Sequence, residues 1–325
     1  MGHTSSNLDL GAYLKLNNSS LDEWLAALRE LSGCDDMNCR LHSGSGRVGA
    51  LSVLASECGH VISLRASKGM DVSGCRASNP VLLLPRAGNP EIATRGGGWR
   101  PLDRLFLARP EDRFELRLAP ETEVMMLRPG NGALDNVLPQ SFGEWQPILE
   151  AMIGCYLERL PFVRDDVQAR QLTTRLFNSI KSPWTPKKAA VCSERTLDRR
   201  LQRVVERIMV DPSWEFDLQE LASYAGVSER NLYYLMKRET GITPYRFYQR
   251  ARLIRVRERL VDCQCEVPHI SWYAADEGFS HLGRFAAMYR EHFGELPSET
   301  VQWRRSLQGS GTGERVLGEP DLASS

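Results

Sequence analysis

Charge in this sequence is carried on arginine: 35 arginines stand beside 6 lysines, and 41 acidic residues balance them to a net charge of zero. The densest group lies between Tyr245 and Leu260, where Arg246, Arg250, Arg252, Arg255, Arg257 and Arg259 face a single acid, Glu258. A guanidinium stays charged at every physiological pH and forks onto phosphate oxygens, so such a row is suited to a nucleic-acid backbone. A solvated face in an arginine-rich chain accounts for the same row. Residues 195–306 hold 18 basic and 16 acidic side chains, a net of +2, so the clustering carries the reading and the total does not. Other chemistry is thinly represented. There is no G-x-S-x-G, no H-E-x-x-H and no phosphate-binding glycine loop, so no catalytic residues are assigned. The eight cysteines (34, 39, 58, 75, 155, 192, 263, 265) form no C-x-x-C pair and read as reduced, mostly buried thiols, with no metal and no cofactor. His42, Arg47, His60, Arg65 and Arg86 are scattered through a β-rich stretch; a small effector held there by arginines would be acidic.

These residues need elements to place them. A chain of 325 residues suggests about two domains. Between residues 39 and 130 short apolar runs alternate with turn formers: Val48–Leu54, Val61–Leu64, Val81–Leu84, Leu105–Ala108, Phe114–Leu118 and Val124–Leu127. Many short strands at regular spacing predict a small sandwich or barrel, with Gly96-Gly97-Gly98 as a hairpin tip. From Ser141 the period changes to that of a helix. Ser141 and Glu144 have capping-box spacing, and Trp145, Ile148, Leu149, Met152, Ile153, Tyr156, Leu157 and Leu160 form one apolar face. A second helix is expected over Asp166–Ile180. The apolar face either covers the open side of the β-domain or makes a homodimer contact around residues 142–160. Residues 181–195 read as a linker and 307–325 as a disordered tail.

The strongest signal is a repeat. Asp217 caps a short helix through Leu218, Leu221, Ala222 and Ala225; Gly226 makes a turn; a second helix passes through Leu232, Leu235 and Met236. A shift of 52 residues carries Leu218, Ala222, Gly226 and Ser228 onto Ile270, Ala274, Gly278 and Ser280. A shift of 53 carries Leu232, Met236, Lys237, Gly241 and Pro244 onto Phe285, Tyr289, Arg290, Gly294 and Pro297. Small alanines allow helices to approach, glycine permits the turn, and serine caps the next helix. The arginine-rich segment between the copies, as a helix of about 16 residues, would span roughly 24 Å. That length suits two reading helices about one DNA turn, roughly 34 Å, apart.

Two stretches, LASYAGVSERNLYYLMKRETGITPYRFYQRARL and YAADEGFSHLGRFAAMYREHFGELPS, resemble the DNA-binding domain of the AraC/XylS family of bacterial transcription regulators. The phrases VLLLPRAG and VMMLRPG are similar to that family's cupin-like regulatory domain. The resemblance implies an α+β chain: a β-rich cupin-like N-terminal domain with helices (1–180), then an all-α DNA-binding domain (196–306) with two helix-turn-helix motifs joined by a linker helix. It implies base contacts by Arg230, Tyr233 and Tyr234 from the first motif, and by His281, Leu282, Gly283, Arg284 and Ala287 from the second. Ser228, Lys237 and Arg290 would meet phosphates. The sequence departs from the family at Tyr234 and Ala287, where arginine is common, which places more weight on Arg230 and Arg284. The implied partners are a double-stranded DNA operator, a second copy of the chain, RNA polymerase and a small-molecule effector bound by His42, Arg47, His60 and Arg86.

The leading expectation is therefore a sequence-specific transcription regulator, an activator rather than an enzyme. A ligand-independent regulator and an antagonist that binds proteins without binding DNA are the alternatives. An enzyme, including a zinc-thiol repair protein built on Cys34 and Cys39, lacks the required constellation. No run of 18 apolar residues and no signal segment are visible, so a cytoplasmic location without membrane is expected.

Overall fold

The computed structural model describes residues 10–76, 79–110, 112–130, 142–181, 198–265 and 268–309. Two antiparallel sheets face one another. The first runs in the order β1-β3-β4-β11-β6-β9, with β1 Leu14–Ser19, β3 Gly49–Ser56, β4 Gly59–Ala66, β6 Val81–Ala87, β9 Phe106–Ala108 and β11 Thr122–Pro129. The second runs β2-β5-β10-β7-β8, with β2 Asn38–Leu41, β5 Met70–Arg76, β7 Glu91–Thr94, β8 Arg100–Pro101 and β10 Arg113–Leu118. This is the β-rich region expected. All six apolar runs fall on strands, and the glycine triplet lies in the β7–β8 hairpin.

The two sheets differ in what covers them. β3 and β11 are buried along six consecutive residues, because the first sheet is covered on both faces. β5 and β10 alternate buried and open positions, because one face of the second sheet meets water. Between the sheets Leu51, Ile62, Met70, Leu83 and Leu116 pack around Trp24. Trp24 belongs to α1 (Leu21–Ser32), which no periodicity argument had identified. Its signal was present: Ser20 and Glu23 form a complete capping box.

The outer face of the first sheet is covered by α2 (Phe142–Arg159) and α3 (Asp166–Lys181). Leu149, Met152, Ile153, Tyr156 and Leu157 of α2 pack with Leu54, Val61 and Leu127. The helices thus cover the β-domain, and the apolar face also considered for a homodimer contact is used within the chain. Ser141 of the expected capping box, Cys192 and residues 182–195 of the expected linker lie outside the described residues.

The C-terminal helices are α4 (Arg199–Val210), α5 (Leu218–Ala225), α6 (Glu229–Thr240), α7 (Pro244–Asp262), α8 (Ile270–Asp276), α9 (Leu282–Phe293) and α10 (Pro297–Gly309). α10 continues three residues into the stretch read as a tail; the remainder lies outside the described residues. α7 packs along β1, and α10 reaches α1. Arg304 of α10 bonds Glu23 (3.0 Å) and the Asn17 carbonyl (3.2 Å), Lys15 bonds Glu295 (2.6 Å), and Asn17 bonds Asp262 (3.0 Å). No helix among the described residues is long and apolar enough to cross a membrane. No group of three or more metal-ligating side chains occurs among them.

Candidate nucleic-acid interface

Each copy of the repeat folds as two helices across a tight turn. In the first, the Asp217 side chain accepts from the Glu220 amide to start α5, and Gly226 ends it at φ 75°. In the second, Gly278 occupies the same place at φ 72°. Only glycine adopts that left-handed conformation without Cβ strain, which is why both copies keep it. Ser228 then caps α6, its hydroxyl accepting from the Asn231 amide.

The second copy corrects one expectation. Ser280, the repeat partner of Ser228, does not cap α9. The inserted residue moves the cap to His281, whose side chain accepts no capping bond.

Inner faces are packed. Leu232, Leu235 and Met236 of α6 are buried beside Leu201, Val204 and Ile208 of α4. Phe285 and Tyr289 of α9 are buried beside Phe279 and Phe293. The opposite faces are open. Arg230, Tyr233 and Tyr234 stand exposed on α6, and His281, Leu282, Gly283, Arg284 and Ala287 stand exposed at α9. Tyr233 is 44% and Tyr234 58% exposed. Their rings meet edge to face at 6.2 Å, and Arg230 lies 5.6 Å from the Tyr234 ring. Ser228, Lys237 and Arg290 are exposed too, with the Lys237 ammonium 3.1 Å from the Gly241 carbonyl at the end of α6. At Gly283 a Cβ would meet no atom of this chain within 4 Å. Internal packing therefore gives no reason for glycine there.

The arginine row is the principal correction. Five of the six guanidiniums on α7 are engaged within the chain. Arg250 is buried and donates to the carbonyls of Leu160 and Pro161. Arg257 is buried and donates to the Leu14 carbonyl (3.1 Å) and the Tyr289 hydroxyl (3.3 Å), with Glu295 at 2.8 Å. Arg255 pairs with Glu277 at 2.8 Å and Arg259 with Asp276 at 2.9 Å. Arg252 lies over the Phe279 ring at 4.7 Å. The acids that neutralise the row, Asp276, Glu277 and Glu295, and the carbonyls of Leu14, Leu160 and Pro161 that accept from it, all lie outside it in sequence, so counting charges within α7 missed them. Burial alone would raise the Glu295 carboxyl, yet the Arg257 guanidinium and Lys15 ammonium hold it down at about 2. α7 is thus a core helix fastened by cations, rather than a cationic rod along a duplex. Arg246 remains exposed.

The four residues considered for an effector site do not come together. His42 pairs with Asp71 at 2.9 Å beside the second sheet, and Arg47 is exposed before β3. His60 sits opposite Arg128, whereas Arg86 lies beside the Glu123–Val124 end of the same strand, about 17 Å away at strand rise. None of them lines the cavity between the sheets. That cavity, among Leu28, Cys34, Met37, Cys75, Leu116 and Met126, measures about 40 Å³.

A family model described as a helix-turn-helix domain matches residues 221–302. XylDLEGF operon transcriptional activator 3 of Pseudomonas putida is 28% identical over 218 residues, covering 62% of this chain and 65% of that protein. XylDLEGF operon transcriptional activator 1 of the same organism is 39% identical over 104 residues, covering 32% of this chain and 31% of its own. The chain therefore spans about two thirds of one curated relative and about a third of the other. A solved transcriptional regulator with an AraC-type DNA-binding domain, from Chromobacterium violaceum, is 30% identical, covering 33% of this chain and 92% of that one, with a TM-score of 0.29. Its likeness adds no weight; the repeat and the matched domain do. Residues 221–302 are therefore a helix-turn-helix domain similar to those of the AraC/XylS transcription regulators.

Proposed function

We propose that the chain is a sequence-specific activator of transcription whose two helix-turn-helix units read successive major grooves of one operator. In this reading Arg230, Tyr233 and Tyr234 face bases from α6, and His281, Leu282 and Arg284 face bases from α9. Ser228, Lys237 and Arg290 face phosphates. Residues 1–180 form the regulatory domain, 181–195 the linker and 196–306 the DNA-binding domain. The observation that carries it is the shared division of α6 and α9 into a packed apolar face and an open face bearing an arginine near its start. The named activity of the Pseudomonas putida relatives as operon activators supports the sign of regulation.

Selection of bound duplexes from a random pool, followed by anisotropy titration, tests this. Arg230→Ala and Arg284→Ala are each expected to lose about 1–3 kcal/mol of operator affinity and to relax preference at one base. Because α7 contributes few free cations, the salt slope is expected to be modest, on the order of −2 to −4 for two to four phosphate contacts. Failure to enrich any sequence, or unchanged binding by both variants, refutes the proposal and favours a protein-binding antagonist.

Homodimerisation belongs to the same reading. It must use surfaces other than the apolar face of α2, and light scattering of the full chain tests it. RNA polymerase is the partner an activator requires, tested by transcription in vitro from the selected operator. A ligand-independent regulator is favoured over an effector held between the sheets by one observation: a cavity of about 40 Å³ has room for a few water molecules at most.

A further inference from the structure

The two helix-turn-helix units have separate cores, and α7 belongs to both. In its first half, Phe247 and Ala251 pack with α4, α5 and α6. In its second half, Leu253 and Ile254 join the core that holds Phe279 and Phe285 of the second unit. The change of core falls between Ala251 and Leu253. The residue at that point is Arg252.

Arg252 touches both units. Its guanidinium lies 5.5 Å from the ring of Tyr248, which packs against the first core and donates its hydroxyl to the Trp214 carbonyl at 3.2 Å. The same guanidinium lies 4.7 Å from the ring of Phe279, in the turn between α8 and α9. A cation is attracted to the face of an aromatic ring, so each unit holds one side of it. Arg255 and Arg259, further along α7, reach acids of the second unit, Glu277 and Asp276. Arg252 has no carboxylate partner among the described residues, and two rings from two units set its position. The second turn is also shaped for it. A Cβ at Gly278 would run into the Arg252 guanidinium, whereas at Gly226 of the first copy the nearest atom would be Nη1 of Arg203 at 3.6 Å.

We propose that Arg252 is a positioning residue: wedged between Tyr248 and the Phe279 turn, it fixes the angle between α6 and α9, and so the one spacing of half-sites that a single chain accepts. The spacing rests on the DNA-binding reading above; the angle does not.

The test has two arms, both on the full chain. Without DNA, spin labels on ketone side chains installed at the exposed positions Arg238 of α6 and Glu291 of α9 report the distance between the units. The parent should give one narrow distribution, and Arg252→Ala a broadened or displaced one. With DNA, the selected operator is compared with versions whose spacer is one base pair shorter or longer, a change of about 34° and 3.4 Å. The parent should prefer the selected spacing by about tenfold or more. In Arg252→Ala that preference should fall about threefold, with affinity for a duplex bearing one half-site unchanged. Arg252→Lys keeps the charge without the planar fork, and Phe279→Leu keeps an apolar side chain without the ring. Both should move the same way, and they decide the outcome if Arg252→Ala does not fold.

An equal loss at every spacing, with the distance distribution unchanged, overturns the proposal. A salt slope lowered by about one in that case makes Arg252 a phosphate ligand instead. Unchanged distributions in all three variants overturn it even where no operator is selected. A broadened distribution with no operator selected supports the angle and refutes the DNA-binding reading alone.

Discussion

The two helix-turn-helix units share a fold and differ in what holds them. The first (α5 and α6) has both helices capped by side chains and packs on α4 in a core almost entirely its own, with Phe162 the one contribution from before α4 among the described residues. The second (α8 and α9) has no side-chain cap on either helix, and its Phe279, Phe285 and Tyr289 belong to the same continuous core as α2, α3 and the first sheet. The first unit is fastened locally, through its own sequence. The second is fastened by the β-domain, through Arg257, Lys15 and Glu295. Any change in the β-domain that disturbs this seam therefore reaches the second unit before the first.

Removing the centre of the seam should break the comparison most severely. Arg257→Ala leaves Glu295, Tyr289 and the Leu14 carbonyl without their buried donor, and a loss of about 3–5 kcal/mol is expected. Hydrogen exchange resolved by segment should show α8–α10 opening while α5 and α6 keep their protection. Equal loss in both units would mean that they form one cooperative block.

Acid should act in the same direction with smaller effect. The Glu295 carboxyl is held at about 2 in the folded chain against an ordinary 4.5. Its contribution is complete above about pH 4.5 and disappears as pH falls toward 2. Between pH 5 and 3 the second unit should lose protection faster than the first. In Glu295→Gln that excess sensitivity should vanish, and if it persists another group is responsible.

A cap deletion probes the first unit. Ser228→Ala should cost about 1 kcal/mol, read as a shift in the urea midpoint of α5 and α6. The corresponding Ser280→Ala should be close to neutral, since Ser280 caps nothing. Comparable costs at the two positions would restore the strict symmetry of the repeat.

The smallest expected effect separates stability from recognition. Gly283→Ala replaces a first-turn glycine and should stabilise α9 by at most about 0.5 kcal/mol. If α9 lies against a duplex, the same methyl group should weaken operator binding. Stabilisation with unchanged binding would place Gly283 away from DNA.

Much of this architecture could be read directly. The six apolar runs became strands because turn formers delimit them, and the repeated Ala, Gly and large apolar positions became two bihelical units because each performs a local job. What escaped was non-local. β1 is short and depends on β3, to which it pairs with register irregularities, so no periodicity announced it. α1 was announced only by Ser20 and Glu23. The inserted residue before α9 was counted correctly, but its consequence, a cap moved from Ser280 to His281, needed coordinates.

By itself the sequence determined six of the strands and the helices of the repeat, that two units repeat, and which side of each reading helix is apolar. Those properties follow from periodicity and capping, which act over a few residues. Tertiary structure decided the fate of the charges. An arginine's role depends on which carboxylate, carbonyl or ring stands opposite it, and on α7 those partners come from β1, the α2–α3 connection, α8 and the segments beyond. The same side chain is a phosphate ligand in water and a structural tie in a core, and only packing chooses between them.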